Sequence, residues 1–580
     1  MTTAEQRPTP FRMPEQLFAE LAAGGGSADA VAFLERAERA RRLLLLRTLL
    51  DHLDTLPTPL TPAAEVWRLL KEAYERSPEP VERLLLAPTT GAWIAHMLRR
   101  VHGTATGPPL WAEAGRLGAL TVAAALRAGT DTDLLVPLTD GALSLPGLGT
   151  ACLPEGAEGL TVGRASTRAG ELTLTGPDRA GRPTSLRCRP RPVPVAAAAR
   201  AETLHWLPLR TLTHSTPTGD VAIPLEDLDP YRDLDDPVPP ARLDADEAGA
   251  WQRLFDEATG ILAAGGAAGP PGRLDPAVIR TIVPWERTSL LPEPPPDVRV
   301  SASSGDSYGA MVIARPSSAL ALAEALVHEF QHSKLAALVH LFPLLDDDRA
   351  ERYYAPWRHD PRHLTGLLHG AYAFTGVAGF WRDRLAEPEH AETAAYHFAL
   401  RRTQSRLVVR TLLTSGRLTP AGHALVSGLA RTLDAWLREP VDPVALTRAR
   451  TAAALHRTEW RLRNVAPPAG AGDTAPGGPL AGTGEPPVGT PALRPDRAPW
   501  PDNRTHAFAT RPAGPRTPDE HLAAGDPAAA LDGYAEELAR EPADPHLLAG
   551  WIVARAALNP GPAARRLLAR PELLQPQRTG

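Results

Sequence analysis

Residues 309 to 341 read GAMVIARPSSALALAEALVHEFQHSKLAALVHL, and the architecture around them follows from that order. Gly309-Ala310-Met311-Val312-Ile313 is a short apolar run of strand type. Pro316-Ser317-Ser318 then supplies capping chemistry, and the Ala- and Leu-rich run behind it predicts a long helix. Another strand-like run, Val298 to Ser301, precedes the first across a Ser/Gly/Asp turn. Strand, turn, strand, cap and helix place His328-Glu329-Phe330-Gln331-His332 in the middle of an apolar helix.

Positions four apart on a helix stack on one face, so His328 and His332 can offer imidazole nitrogens to one divalent ion. Glu329 is rotated by roughly 100° from His328. In zinc peptidases that offset lets a glutamate act as general base on a metal-bound water. The plainer alternative is a buried helix that happens to carry two core histidines, and a chance match in a chain this long is on the order of a few per cent. Three ionisable side chains in so apolar a helix would be costly without a metal or partners, which favours the metal.

A catalytic ion needs a third protein ligand and at least one open position. Position 338 is Leu, so the third histidine of a metzincin is absent. His340 lies more than two turns along the axis from His332. The favoured third ligand is His369, alone in the apolar segment Gly366-Leu367-Leu368-His369-Gly370-Ala371-Tyr372-Ala373-Phe374, with Glu324 and Asp346 to Asp348 as weaker choices. Just upstream, Tyr353 to Arg362 is dense in aromatics, Arg and Pro; Arg358 and Arg362 there suit a bidentate carboxylate clamp. Arg401, Arg402, Gln404 and Arg406 form an alternative anion-binding group, and a solvated loop is the competing reading of the first set.

Outward from this segment the chain predicts an α+β, mainly α-helical protein. Residues 1–130 read as a helical N-terminal domain and 131–240 as a β-rich segment with strand signals at Gly159–Val162 and Glu171–Thr175. The turn chemistry of Leu225 to Arg232 closes it. Residues 241–464 form a zincin-like, helical metal-binding catalytic domain. Residues 465–515 are a Pro/Gly-rich, disordered linker with too few large apolar residues to fold. Residues 516–580 are a small helical tail with spacing of the tetratricopeptide kind.

Composition excludes several classes. The 580 residues are 43% hydrophobic and 22% charged, as in a globular protein. A net charge of -5 and the absence of a basic block argue against nucleic acid. All but two of the 62 basic residues are Arg, which lowers the information any single Arg carries. Cys152 and Cys188 match no zinc or redox spacing. With no apolar leader and no membrane-length apolar run, a cytoplasmic protein without membrane contact is expected.

The LDPY-type turn at Asp227 to Arg232, VHEFQHSK at Val327 to Lys334, YAPWR at Tyr354 to Arg358 and LLHGAYAF at Leu367 to Phe374 occur in this order. With the helical N-terminal half, they resemble the HExxH-type peptide β-hydroxylases over roughly residues 10 to 460. That resemblance implies iron(II) and 2-oxoglutarate as cofactors. It also implies hydroxylation of the β-carbon of a residue in a ribosomally made precursor peptide. The repeat-like tail, outside the resemblance, has spacing suited to binding a leader peptide or another maturation enzyme. His328, His332 and His369 would be the metal ligands, with Arg358, Arg362 or Arg406 on the far carboxylate of 2-oxoglutarate. Glu329 would then lose its peptidase role. Two other readings remain open: a zinc metallopeptidase with Glu329 as base, and a non-catalytic peptide-recognition protein.

Overall fold

The computed structural model describes residues 12–216, 219–234, 236–287, 300–466, 492–494, 500 and 503–574. It is a mixed fold of helix and strand, mainly helical, and divides into two units. The first comprises Met1–Met13, Ser27–Gly269 and Arg273–Phe342; the second comprises Pro14–Gly26, Pro270–Gly272 and Pro343–Gly580.

In the first unit, the long helix Ala28–Leu53 starts at Ser27, whose hydroxyl accepts from the Ala30 amide, and further helices span Ala63–Arg76, Pro78–Leu86, Pro88–Val101 and Arg116–Ala128. Among the described residues the strands that follow are β1 (Thr132–Thr139), β2 (Ala142–Leu145), β3 (Gly149–Cys152), β4 (Leu160–Arg168), β5 (Glu171–Pro177), β6 (Pro183–Cys188), β7 (Val193–Pro194), β8 (Trp206–Pro208), β9 (Arg210–Thr216), β10 (Gly219–Leu225), β11 (Thr281–Pro284), β12 (Ser301–Ala302) and β13 (Ala310–Ile313). The first sheet is antiparallel in the order β6-β5-β4-β1-β2-β3-β8. Alternation along β1 buries Leu134, Val136 and Leu138, as a strand with one covered face requires. These residues share one core with Trp93, Leu120 and Leu174. The expected boundary between residues 1–130 and 131–240 therefore does not separate two cores: neither the helices nor the sheet can bury its apolar face alone.

The Leu225–Arg232 turn is a buried polar knot. The fully buried Asp227 accepts from the Leu243 amide and pairs with Arg242 at 2.9 Å. Asp229 caps Tyr231 and pairs with the buried Arg116 at 2.7 Å.

The second sheet, β12-β13-β11-β10-β9-β7, is mixed, with β10, β11 and β13 mutually parallel and β12 an antiparallel edge. Parallel neighbours need a crossover. Between β10 and β11 it contains the helix Ala245–Ala264, opened by a capping box between Asp244 and Glu247. Gln252 of that helix exchanges both amide bonds with the Thr213 backbone of β9. The buried strand β13 leads through Ser318, whose side chain caps the Ala321 amide, into the helix Ala319–Leu341. The strand expected at Val298–Ser301 appears at Ser301–Ala302; positions 298 and 299 lie outside the described residues.

The second unit consists of helices Leu364–Asp383, Ala391–Thr414, Pro420–Leu437 and Pro443–Asn464, the short helix Glu15–Ala22, and the C-terminal helices. Glu15–Ala22 is held by its own carbonyls: Tyr372 donates to Leu21 at 2.9 Å and Thr432 to Ala23 at 3.0 Å. The expected catalytic domain 241–464 is thus divided after Phe342, and the first helix of the expected N-terminal domain belongs to the second unit.

The C-terminal helices Pro518–Ala524, Pro527–Arg540, Pro545–Leu558 and Pro562–Ala569 do not form a free-standing repeat. Leu522, Tyr534, Ile552 and Val553 bury in one core with Tyr396, Leu400, Ala449, Leu455 and Leu462. Much of the expected linker, 467–491, 495–499 and 501–502, lies outside the described residues. Its described remainder is packed: Trp500 is buried with Trp460 and Val465, and Phe508 joins the tail core.

Candidate metal centre

The helix Ala319–Leu341 buries nearly all of its residues from Ala319 to Leu338. On it, the Nε2 atoms of His328 and His332 face each other at 3.1 Å with their rings nearly perpendicular. This separation would let both nitrogens reach one ion at ordinary metal–nitrogen distances of ~2.1 Å. Glu329 lies against the pair, one carboxylate oxygen 3.9 Å from the His328 Nε2. Among the described residues these three form the cluster able to hold a metal, their ligand atoms within 4.8 Å of one another.

Burial sets their protonation. His332 keeps an accessible edge, but the crowding around its ring pushes its pKa down to about 4, leaving a neutral imidazole with a lone pair to give. Glu329 is 1% exposed. Desolvation raises it to about 7, while the hydroxyls of Ser301 and Ser303 pull the other way. Those hydroxyls approach without closing hydrogen bonds of full geometry, so neither carboxylate oxygen is saturated and one remains open to an ion or a proton. Lys334, also buried, is pushed down to about 7 by desolvation. The donor set fits a divalent transition metal: two imidazole nitrogens beside a carboxylate.

Of the remaining candidates, Glu324 is buried on the metal helix itself, in the first unit, and the others lie in the second unit. His369 is half-buried on the helix Leu364–Asp383. That helix is capped by His363, whose Nδ1 lies 2.8 Å from Asp347, and Asp347 also accepts from the Thr365 amide and hydroxyl. YAPWR and LLHGAYAF are packed together: Trp357 lies on Phe374 at 4.7 Å between centroids, and a Cβ on Gly370 would come 2.3 Å from the Trp357 ring. Gln404 donates to the Pro356 carbonyl, and Arg401 donates to Gln404 and lies over Phe374. Gly370→Ala should therefore cost about 1 to 2 kcal/mol, overpacking outweighing the better helix propensity of Ala. Thermal unfolding together with tryptophan fluorescence checks this, and an unchanged Tm would refute the close packing.

The proposed clamps are already engaged by carboxylates. Arg358 and Arg362 both pair with Asp360, at 2.8 and 3.1 Å, and Arg406 holds Asp434 through two nitrogens. An anion reaching these arginines would have to compete with those partners. His340 pairs with the buried Glu38 at 2.7 Å. Sequence reasoning missed Ser301, Ser303 and Glu38. The serines' alternate positions at the end of a strand-like run were visible, but nothing local showed that this end faces Glu329.

No protein-family model matches the chain, and no curated protein matches it. Among the described residues no helix is long and apolar enough to cross a membrane.

Proposed function

We propose that the protein is an iron(II)- and 2-oxoglutarate-dependent oxygenase that hydroxylates the β-carbon of a residue in a ribosomally made precursor peptide. The observation that carries the metal-dependent part is the pair of imidazole Nε2 atoms 3.1 Å apart on a buried helix, with His332 held neutral. The choice of iron and 2-oxoglutarate rests on the resemblance of the HEFQH, YAPWR and LLHGAYAF segments to the peptide β-hydroxylases. Iron and the 2-oxoacid, when bound, supply the oxygen activation. The chain's own work is to hold the ion through His328 and His332, with His369 proposed as third ligand. It must also keep the surroundings dry and present a cation to the far carboxylate, for which Arg358, Arg362 and Arg406 are proposed.

The test is anaerobic reconstitution with iron(II), 2-oxoglutarate and a precursor peptide encoded beside the gene, followed by mass measurement after air is admitted. A gain of one oxygen supports the reading. Consumption of 2-oxoglutarate without such a product in any neighbouring peptide retains the oxygenase class and removes the substrate class.

A zinc metallopeptidase is the second reading, favoured by the unsaturated Glu329 carboxyl beside the histidine pair. It predicts stoichiometric zinc and peptide hydrolysis that falls about 10²- to 10⁴-fold in Glu329→Gln while the metal stays bound. Zinc-dependent cleavage of that kind would replace the oxygenase assignment.

A further inference from the structure

The segment Ser301–Gly309 lies against the metal helix between Glu329 and Ser333. At one end the Ser301 and Ser303 hydroxyls approach Glu329. At the other end the Gly309 amide donates to the Ser333 hydroxyl at 3.3 Å, and the buried Tyr308 ring meets Phe330 edge-on at 6.5 Å. Gly309 has φ +80°, a backbone conformation that favours glycine and turns the segment into β13.

The same segment is fastened from its other side by the N-terminal helices. Asp306 accepts from Arg99 at 3.1 Å and from Arg41 at 3.5 Å. Its backbone carbonyl lies 2.2 Å from where a Cβ on Gly91 would stand, so the helix Pro88–Val101 admits it only because position 91 is Gly. Arg41 also reaches Glu38, which holds His340 on the metal helix itself. Asp306 is thus gripped by two helices, five residues beyond Ser301 and three beyond Ser303.

We infer that Asp306 is a positioning residue of the metal centre: clasped by Arg41 and Arg99, it sets where Ser301 and Ser303 stand and so how closely their hydroxyls approach Glu329. This rests on the reading of His328, Glu329 and His332 as a metal centre. The clasp is partly exposed, with Asp306 at 29% and Arg99 at 35% side-chain exposure, so salt should loosen it.

Cobalt(II) alone serves as the probe, read by its visible absorption, with hydrogen–deuterium exchange of 301–309 and 329–333 as the second measurement. Asp306→Asn should weaken cobalt binding about 10- to 100-fold, as loss of a supporting contact does, and alter the visible bands. Tm should fall by only about 3 °C or less, because exposed pairs stabilise weakly. Both segments should exchange faster, and Arg99→Lys should keep most of the affinity. High salt should move the parent toward the variant and leave the variant where it is.

Cobalt affinity and bands equal to the parent's in Asp306→Asn overturn the inference. So does a fall in affinity that only tracks a large fall in Tm, with exchange at 301–309 unchanged. If the parent binds no cobalt, it is the metal-centre reading that fails. Exchange then decides the clasp alone: faster at 301–309 and 329–333 in Asp306→Asn supports it, and no change overturns it.

Discussion

His332→Ala is expected to lower transition-metal affinity by more than about a hundredfold and to remove turnover altogether, while the protein remains folded. The reasoning starts from the 3.1 Å separation of the two Nε2 atoms. Removing one member of a two-nitrogen chelate takes away the entropic advantage of the second bond, and even supporting contacts around a metal cost 10- to 100-fold when lost. Stability should change little. The ring stands in surroundings that disfavour its charged form, so the variant leaves no buried charge unpaired. Equilibrium dialysis against cobalt(II), with thermal unfolding of the metal-free protein, reads both halves. Full metal occupancy in His332→Ala would place the ion elsewhere and remove the central assignment. Peptide binding retained unchanged without bound metal, and with no turnover in the parent, would instead favour the non-catalytic recognition reading of the site.

The metal helix was readable because its signals are local. The Ser318 cap, the apolar run and the four-residue histidine spacing all lie within one element, and local chemistry decides them. Strands β4 and β5 likewise fall on the runs that predicted them. What covers each apolar face was not readable, since periodicity marks a buried side without naming its partner. That is why the core joining Trp93 to Val136 erased the boundary at 130, and why the tail shares its core with Leu455 and Leu462. The clamp arginines show both situations. Asp360 stands between Arg358 and Arg362 in the sequence, so their pairing could have been anticipated, whereas Asp434 is 28 residues from Arg406 and could not. Ser301 and Ser303 belong with the latter: their relation to Glu329 depends on the edge pairing of β12 with β13.

The tail supplies the other large effect. His546 stands between two carboxylates, its Nδ1 2.9 Å from Glu459 and its Nε2 3.0 Å from Asp519, while Tyr534 also donates to Asp519. Desolvation disfavours the charged ring, but the bonds to Asp519 and Glu459 outweigh it and raise His546 to about 9. Both carboxyls are lowered in turn: burial opposes their ionisation, and the His546 contacts overcome it. His546→Ala leaves Glu459 and Asp519 without the cation between them. Removing one partner of a buried pair costs about 3 to 5 kcal/mol, and the Arg463 and Arg504 contacts to Glu459 place the outcome at the lower end. Tm of the second unit should fall on the order of 10 °C.

The pH dependence has a definite sign. A histidine whose folded pKa is raised from 6.5 to about 9 stabilises fully below pH 6.5 and loses that contribution as pH rises through 9. The His546 contribution should therefore decline by about 2 to 3 kcal/mol between roughly pH 6.5 and 9.5, read as the difference between wild type and His546→Ala, because the lowered Lys334 acts in the opposite sense over the same range in both proteins. The lowered carboxyls act at the other end: their contribution is present above the ordinary carboxylate range and fades as pH falls below it. Chemical denaturation at a series of pH values, followed through tryptophan fluorescence, reads the slope directly. An alkaline limb of equal size in wild type and His546→Ala would mean that the tail is not held by this charge and that the apolar core around Tyr534 and Ile552 suffices.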